Sequence, residues 1–272
     1  MQAETPYLWP YSPANSPLPL PESPILVTNS KIYYLKNDQS ASDNEAILDL
    51  TQIQHYCGKY SSEGVNVEQL LEQNSAPLMS DRKPFLLLGE LANPFQLNRL
   101  NIGAMPVFLV RLEGLCRTYA DALDSRMIQP GVHQITIARS PGWWEKSHIA
   151  MATIDQMKAM VNWLSNGQKG AWRPVKPAEG KVRFESNPTL IPPELESMDW
   201  DGISEIVTQD MPEANGPSID LKEIMIPIHT KWGCYDSRER IIRCVHVGQR
   251  EFHTDYFRRG SSKKWQDVLE IQ

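Results

Sequence analysis

The stretch Pro106-Val-Phe-Leu-Val-Arg-Leu-Glu-Gly-Leu-Cys-Arg-Thr-Tyr-Ala-Asp-Ala-Leu123 decides how the rest of the chain is read. Phe108, Leu112, Leu115, Cys116, Tyr119 and Leu123 recur at steps of four, three, one, three and four, which is the spacing of one helical face. The expectation is therefore a helix. Gly114 opposes it by roughly 1 kcal/mol relative to alanine, so the alternative is a strand over Val107 to Leu112 followed by a shorter helix.

Upstream, Pro84-Phe-Leu-Leu-Leu88 reads as a buried strand ending at Gly89. Asn93 then caps a short helix with Pro94 at its first position, where the missing amide hydrogen costs nothing. Val67 to Gln73 suggests another short helix, and Ile25 to Leu35 a strand or hairpin interrupted at Asn29-Ser30. Downstream, Val132 to Ala138 alternates as a strand does. Thr153-Ile-Asp-Gln156 forms a capping box that starts a helix with Ile154, Met157, Met160, Val161 and Leu164 as its buried stripe and Gly167 at its end.

Three other regions frame this centre. The first 24 residues hold seven prolines and only two charges, with Tyr7, Trp9 and Tyr11 among them, and predict an extended proline-rich arm. Residues 170–217 carry seven prolines, and no Lys or Arg occurs from Phe184 to Leu221. That segment predicts an acidic linker or wrapping loop with a short helix around Gly202 to Gln209. Beyond Leu221, strands are expected over Ile224 to His229, Arg240 to Val247 and Glu251 to Phe257, then a helix from Ser262 to Ile271. The fold class is α+β, a mixed or antiparallel sheet with two or three packed helices and the proline-rich arm. The divisions are 1–24, 25–169, 170–220 and 221–272.

The chain has 272 residues, 41% hydrophobic and 22% charged, enough to bury a sizeable core. Its net charge of −6 means that any polyanion site is local. Four sparse cysteines without a C-x-x-C pair point to a reducing, cytoplasmic setting, with an exported mature chain as the alternative. No run reaches the roughly 18–20 apolar residues of a membrane helix, so no membrane partner is expected.

Reactive side chains gather at the C-terminal end: His229, Cys234, Cys244, His246, His253 and Asp255. On paired strands, Cys244 with His246 and His253 with Asp255 would share faces and converge, either as a zinc site or as a Cys–His nucleophile pair. The competing reading of such cysteines is plain burial. Zinc is the one metal these residues suggest, and no other cofactor is expected. Arg238 to Lys264 holds eight basic residues against three acids, among them Arg258, Arg259, Lys263 and Lys264, interleaved with aromatics. That mixture suits RNA or another polyanion, while internal pairing with the acidic segment competes for the same charges. Trp143-Trp144, after Pro141-Gly142 and near Glu145 and His148, reads as core or interface in preference to a ligand pocket.

Gly89-Glu-Leu-Ala-Asn-Pro94, together with Pro106 and Arg111-Leu-Glu-Gly114, resembles the opening of γ-glutamylcyclotransferase-like proteins. The likeness covers about a quarter of the chain. It lacks that family's tyrosine and hydroxyl residue beside the glycine, and it implies a catalytic acid for which Glu145 is the nominee. Three functions follow as expectations. The first is a non-catalytic interaction or assembly protein that docks on a protein partner or a second copy through Tyr7, Trp9 and Tyr11. The second is a small hydrolase or lyase/cyclotransferase-like enzyme using the His/Cys cluster or the Gly89 loop. The third is polyanion binding by the basic C-terminal segment.

Overall fold

A computed structural model describes residues 21–37, 44–123, 133–202, 204–231, 233–235, 240–256 and 261–263. The elements begin with strands β1 (Ile25–Val27), β2 (Ile32–Tyr34) and β3 (Ile47–Leu48), helix α1 (Leu50–Gly58), and strands β4 (Ser61–Ser62) and β5 (Val65–Asn66). Helix α2 (Val67–Gln73), strand β6 (Lys83–Leu87) and helix α3 (Pro94–Arg99) lead to the long strands β7 (Met105–Leu123) and β8 (His133–Ala152) and helix α4 (Ile154–Ser165). There follow β9 (Trp172–Val175), β10 (Lys181–Phe184), β11 (Met198–Trp200), β12 (Glu205–Val207), β13 (Ser218–Ile219), β14 (Ile226–His229) and β15 (Gly233–Tyr235). Helix α5 (Gln249–Glu251) runs into a π-helical turn (Phe252–Tyr256), and β16 (Ser261–Lys263) closes the series. The result is α+β with a mixed sheet: its pairs are antiparallel except β13 with β3. Among the described residues no helix is long and apolar enough to cross a membrane.

The deciding stretch is not a helix. It is β7, paired with β8 along most of its length. Its opposite edge takes β1 at Met105 to Val107, β10 at Val110 to Glu113 and β15 at Ala120. Sheet residues on both sides are covered, so Phe108, Val110, Leu112 and Leu115 are buried alongside Val107 and Leu109. A strand covered on both faces carries a near-continuous apolar run, and helical spacing is then one pattern among several that the run contains. Gly114 lies where the register jumps from Glu113↔Trp144 to Leu115↔Arg139, so one residue of β7 faces four of β8, Ser140 to Trp143. Its φ of 71° makes glycine the natural residue at this bulge.

The capping logic holds. Thr153 and Gln156 form their reciprocal bonds at α4, which ends on Asn166 in the left-handed conformation, one residue before Gly167; Ile154, however, is 55% exposed and lies outside the buried stripe. Asn93 caps α3, and its side chain accepts from the Phe95 amide. The same boxes occur at Asp49/Gln52 for α1 and Asn66/Gln69 for α2. The hairpin over Ile25 to Leu35 is β1 paired with β2.

Two expectations fail further along. Residues 198–207 form the β11–β12 hairpin in place of a helix around Gly202. Residues 240–256 form turns, α5 and the π-helical turn in place of two strands, and Arg243 bridges to Thr118 of the sheet. Tyr119 organises that packing: its hydroxyl donates to the Val247 carbonyl, and its ring stacks on Phe252 at 4.4 Å. Of the Ser262–Ile271 helix, residues 264–271 lie outside the described residues, and 261–263 are strand.

Candidate functional site

Cys244, His246, His229 and His253 each engage a partner of their own. Cys244 is buried beneath Arg117 and Tyr119, its amide donating to the Arg117 carbonyl, and burial holds its thiol well above the ordinary range. His246 shares a hydrogen bond of 2.8 Å with the Pro193 carbonyl and stands edge-on to Trp143. His229 accepts from the Lys231 amide through Nδ1 and packs edge-on against Trp172; burial lowers its pKa to about 4. His253 meets His133 at 3.0 Å, and Asp255 is exposed on the π-helical turn. Cys234 lies on β15, away from that turn in the chain. Turns and a short helix put these residues at angles that strand alternation does not give. Among the described residues, no three His, Cys, Asp or Glu side chains are grouped to hold a metal ion.

Glu145 is fully buried. One carboxylate oxygen accepts from both the backbone amide and Nε of Arg117 at 2.8 Å, and the other accepts from Trp143 Nε1 at 3.3 Å. The carboxylate is thereby committed to holding β8 against β7. Trp143 and Trp144 are both 0% exposed, as the core reading requires, and Arg243 lies 4.6 Å over the Trp143 ring. Arg243 also pairs with Glu205 at 3.0 Å, so one ion pair of the expected acidic-to-basic packing is formed. The Gly89 loop is buried from Gly89 through Pro94.

Tyr7, Trp9, Tyr11, Arg258, Arg259 and Lys264 lie outside the described residues, and Lys263 is described in its backbone alone. The first described residue of the arm, Pro21, is buried. Its carbonyl accepts from Nε2 of His148, an imidazole that burial lowers to a pKa of about 4. This end of the arm therefore lies on its own body.

The candidate site is elsewhere. A cavity of about 700 Å³ opens between β9, β10, β13 and the turn at 220–225. Its lining holds five cations, Arg173, Lys176, Lys181, Arg183 and Lys222, against two carboxylates, Glu45 and Asp220. Arg173, Lys176, Lys181 and Lys222 are exposed, and none makes an ion pair among the described residues. Arg183 is different: it is buried, with Nε 3.2 Å from Glu113 and Nη1 3.3 Å from the Gly216 carbonyl. Asp220 is engaged by the Lys222 amide at 2.9 Å. Val175, Ile219, Leu221 and Met225 add apolar wall.

The walls are fixed by two close approaches. Gly180 has φ of 97°, and a Cβ there would stand 2.6 Å from Leu115 Cγ, so the turn between β9 and β10 sits directly on the core. Opposite, Arg111 and Arg183 share Glu113, and Arg111 Nη1 donates to the Pro212 and Glu213 carbonyls, drawing 212–216 onto the sheet. In the sequence these cations are spread over 50 positions, from 173 to 222, and no spacing signal unites them. No protein-family profile, curated protein or solved structure matches the chain.

Proposed function

We propose that the protein binds a small organic polyanion in the cavity between β9, β10 and β13, and that this binding is its biochemical role. The observation that carries the reading is the set of exposed cations around that cavity, Arg173, Lys176, Lys181 and Lys222, which make no ion pair among the described residues of a chain of net charge −6. A surface of that net charge has an internal supply of acids, and ordinary solvated lysines would be interspersed with them. A concave wall of low dielectric focuses the field of such a cluster and concentrates an anion there.

The cavity volume falls in the range of roughly 300–1,000 Å³ typical of small-molecule sites. Apolar side chains at Val175 and Leu221 suit a carbon skeleton, while the lysines suit terminal carboxylates or phosphates as compact point charges. This moves the polyanion reading from the C-terminal basic segment to a walled site.

Isothermal titration with citrate and with pyrophosphate, against acetate as a monoanion, tests it. The expected result is saturable one-to-one binding of a polyanion that weakens with added salt and falls by about tenfold or more in Lys176→Glu/Lys181→Glu. Both positions are exposed, and an unchanged circular dichroism spectrum checks that the variant keeps its fold. Absence of saturable binding, or equal binding by the variant, overturns the reading.

A further inference from the structure

Resting on the polyanion reading of the cavity, we propose that Arg183 is the residue that fixes how a ligand sits there. Its Nη2 receives one oxyanion of the ligand, a carboxylate or phosphate oxygen, while the exposed cations take the remaining charge. Strand alternation sets its position. Val182 and Phe184 enter the main core, so Lys181 and Arg183 share the opposite face of β10. On that face Arg183 stands in register with Arg111 of β7 on one side and Ser218 of β13 on the other. Two guanidiniums on adjacent strands need a shared anion. Glu113 supplies it, one carboxylate oxygen accepting from Nε of Arg111 at 2.8 Å and from Nε of Arg183 at 3.2 Å.

The two arginines then differ. Arg111 commits all three nitrogens, Nε and Nη2 to Glu113 and Nη1 to the Pro212 and Glu213 carbonyls, and it does not line the cavity. Arg183 lines it, although only 6% of the residue is exposed. Its Nε is held by Glu113 and its Nη1 by the Asn44 and Gly216 carbonyls. Nη2 hydrogen-bonds to none of the described residues, yet it is not sealed from solvent, and the cavity is the open space this side chain borders. A guanidinium stays charged at any ordinary pH, and the three tethering contacts fix its plane before a ligand arrives. An oxyanion at Nη2 therefore gains a charge-assisted hydrogen bond without the cost of ordering the donor. Exposed lysines attract an anion from many directions. This donor gives it one orientation, with the apolar wall of Val175 and Leu221 left for a carbon skeleton.

Titration of the full chain with citrate and with pyrophosphate comes first, because it decides the parent reading: no binding of either by the wild type overturns both. Arg183→Lys then keeps the charge and removes the planar fork, and an ammonium that stays with Glu113 cannot also meet the ligand. For whichever ligand the wild type binds, the expected result is an affinity lower by about tenfold or more, with an unchanged slope of log Kd against log salt. The two ligands tell a carboxylate from a phosphate oxyanion. Affinity of the variant within about twofold of the wild type overturns the role of Arg183 and leaves the polyanion reading standing. Lysine at 183 also loosens the ties to Glu113 and Gly216, so a crystal structure of the wild-type chain with the bound ligand is the second measurement. A ligand oxygen within about 3 Å of Nη2 is expected. A ligand held by Arg173, Lys176, Lys181 or Lys222 with Nη2 still facing water overturns the proposal, whatever the variant does.

Discussion

Replacing Glu145 by Gln separates charge from shape at the pair that locks the centre of the sheet. The glutamine fills the same volume, and its carbonyl can still accept from the Arg117 amide, but the guanidinium loses the one negative partner it has among the described residues, at 2.8 Å. Both side chains are buried, at 8% and 0% exposure, so water does not replace the missing charge. Breaking such a pair from one side costs about 3–5 kcal/mol. With unfolding entropy of about 2.1 cal/mol/K per residue, a chain of 272 residues loses about 5–9 °C in Tm. Thermal melts followed by circular dichroism at pH 7 measure this directly. Glu145→Gln/Arg117→Met removes the orphaned cation as well and is expected to recover part of the loss. A shift below about 1 °C in the single variant, or a double variant less stable than the two singles combined, refutes the assignment of Glu145 to a structural pair.

Three further outcomes follow from the same packing. Arg82 spends its guanidinium on the carbonyls of Pro77, Met151 and Ala104 and on the Gln156 side chain, so Arg82→Met is expected to cost about 3–5 kcal/mol in urea denaturation. His148 stays neutral in the folded chain down to about pH 4, whereas an unfolded imidazole protonates near 6.5. Stability linked to it is complete above the unfolded value and falls as pH drops from 6.5 to about 4, by about 1.4 kcal/mol per unit at the steepest. In pH-resolved melts, His148→Gln is expected to flatten that slope. Gly180→Ala drives a Cβ into Leu115 at a positive φ, and calorimetry is expected to show a loss of about 2–4 kcal/mol together with weaker citrate binding.

The parts of the fold that were legible in the sequence are those governed by local chemistry. Thr153 with Gln156, and Asn93 with Pro94, announce helix starts because a side-chain oxygen and a free amide lie within one turn of each other. The Ile25 to Tyr34 hairpin and the strand at Phe85 are read from β-branched and apolar runs. Met105 to Leu123 is misread because its partners come from residues 25–27, 133–152, 181–184 and 233–235, and burial on both sides erases alternation. Cys244 and His246 suggest a shared strand face, yet the backbone there turns, as Tyr119 and Phe252 claim it for packing. The cavity cations carry no local signature at all: Lys181 and Lys222 become neighbours only when β10 and β13 pair.

The strand Met105–Leu123 offers one edge to β8, which begins close behind it in the chain at His133, and the other to segments distant in the chain. During synthesis the first edge closes early. The second stays open at Val110 to Glu113 until residue 184 has emerged, and at Ala120 until residue 235 has. A nascent or truncated chain ending near residue 169 would carry a bare, apolar strand edge, a template for pairing with another chain. The segment from 170 onward therefore acts as an intramolecular guard of that edge, and the protein is least protected from aggregation before its own second half arrives.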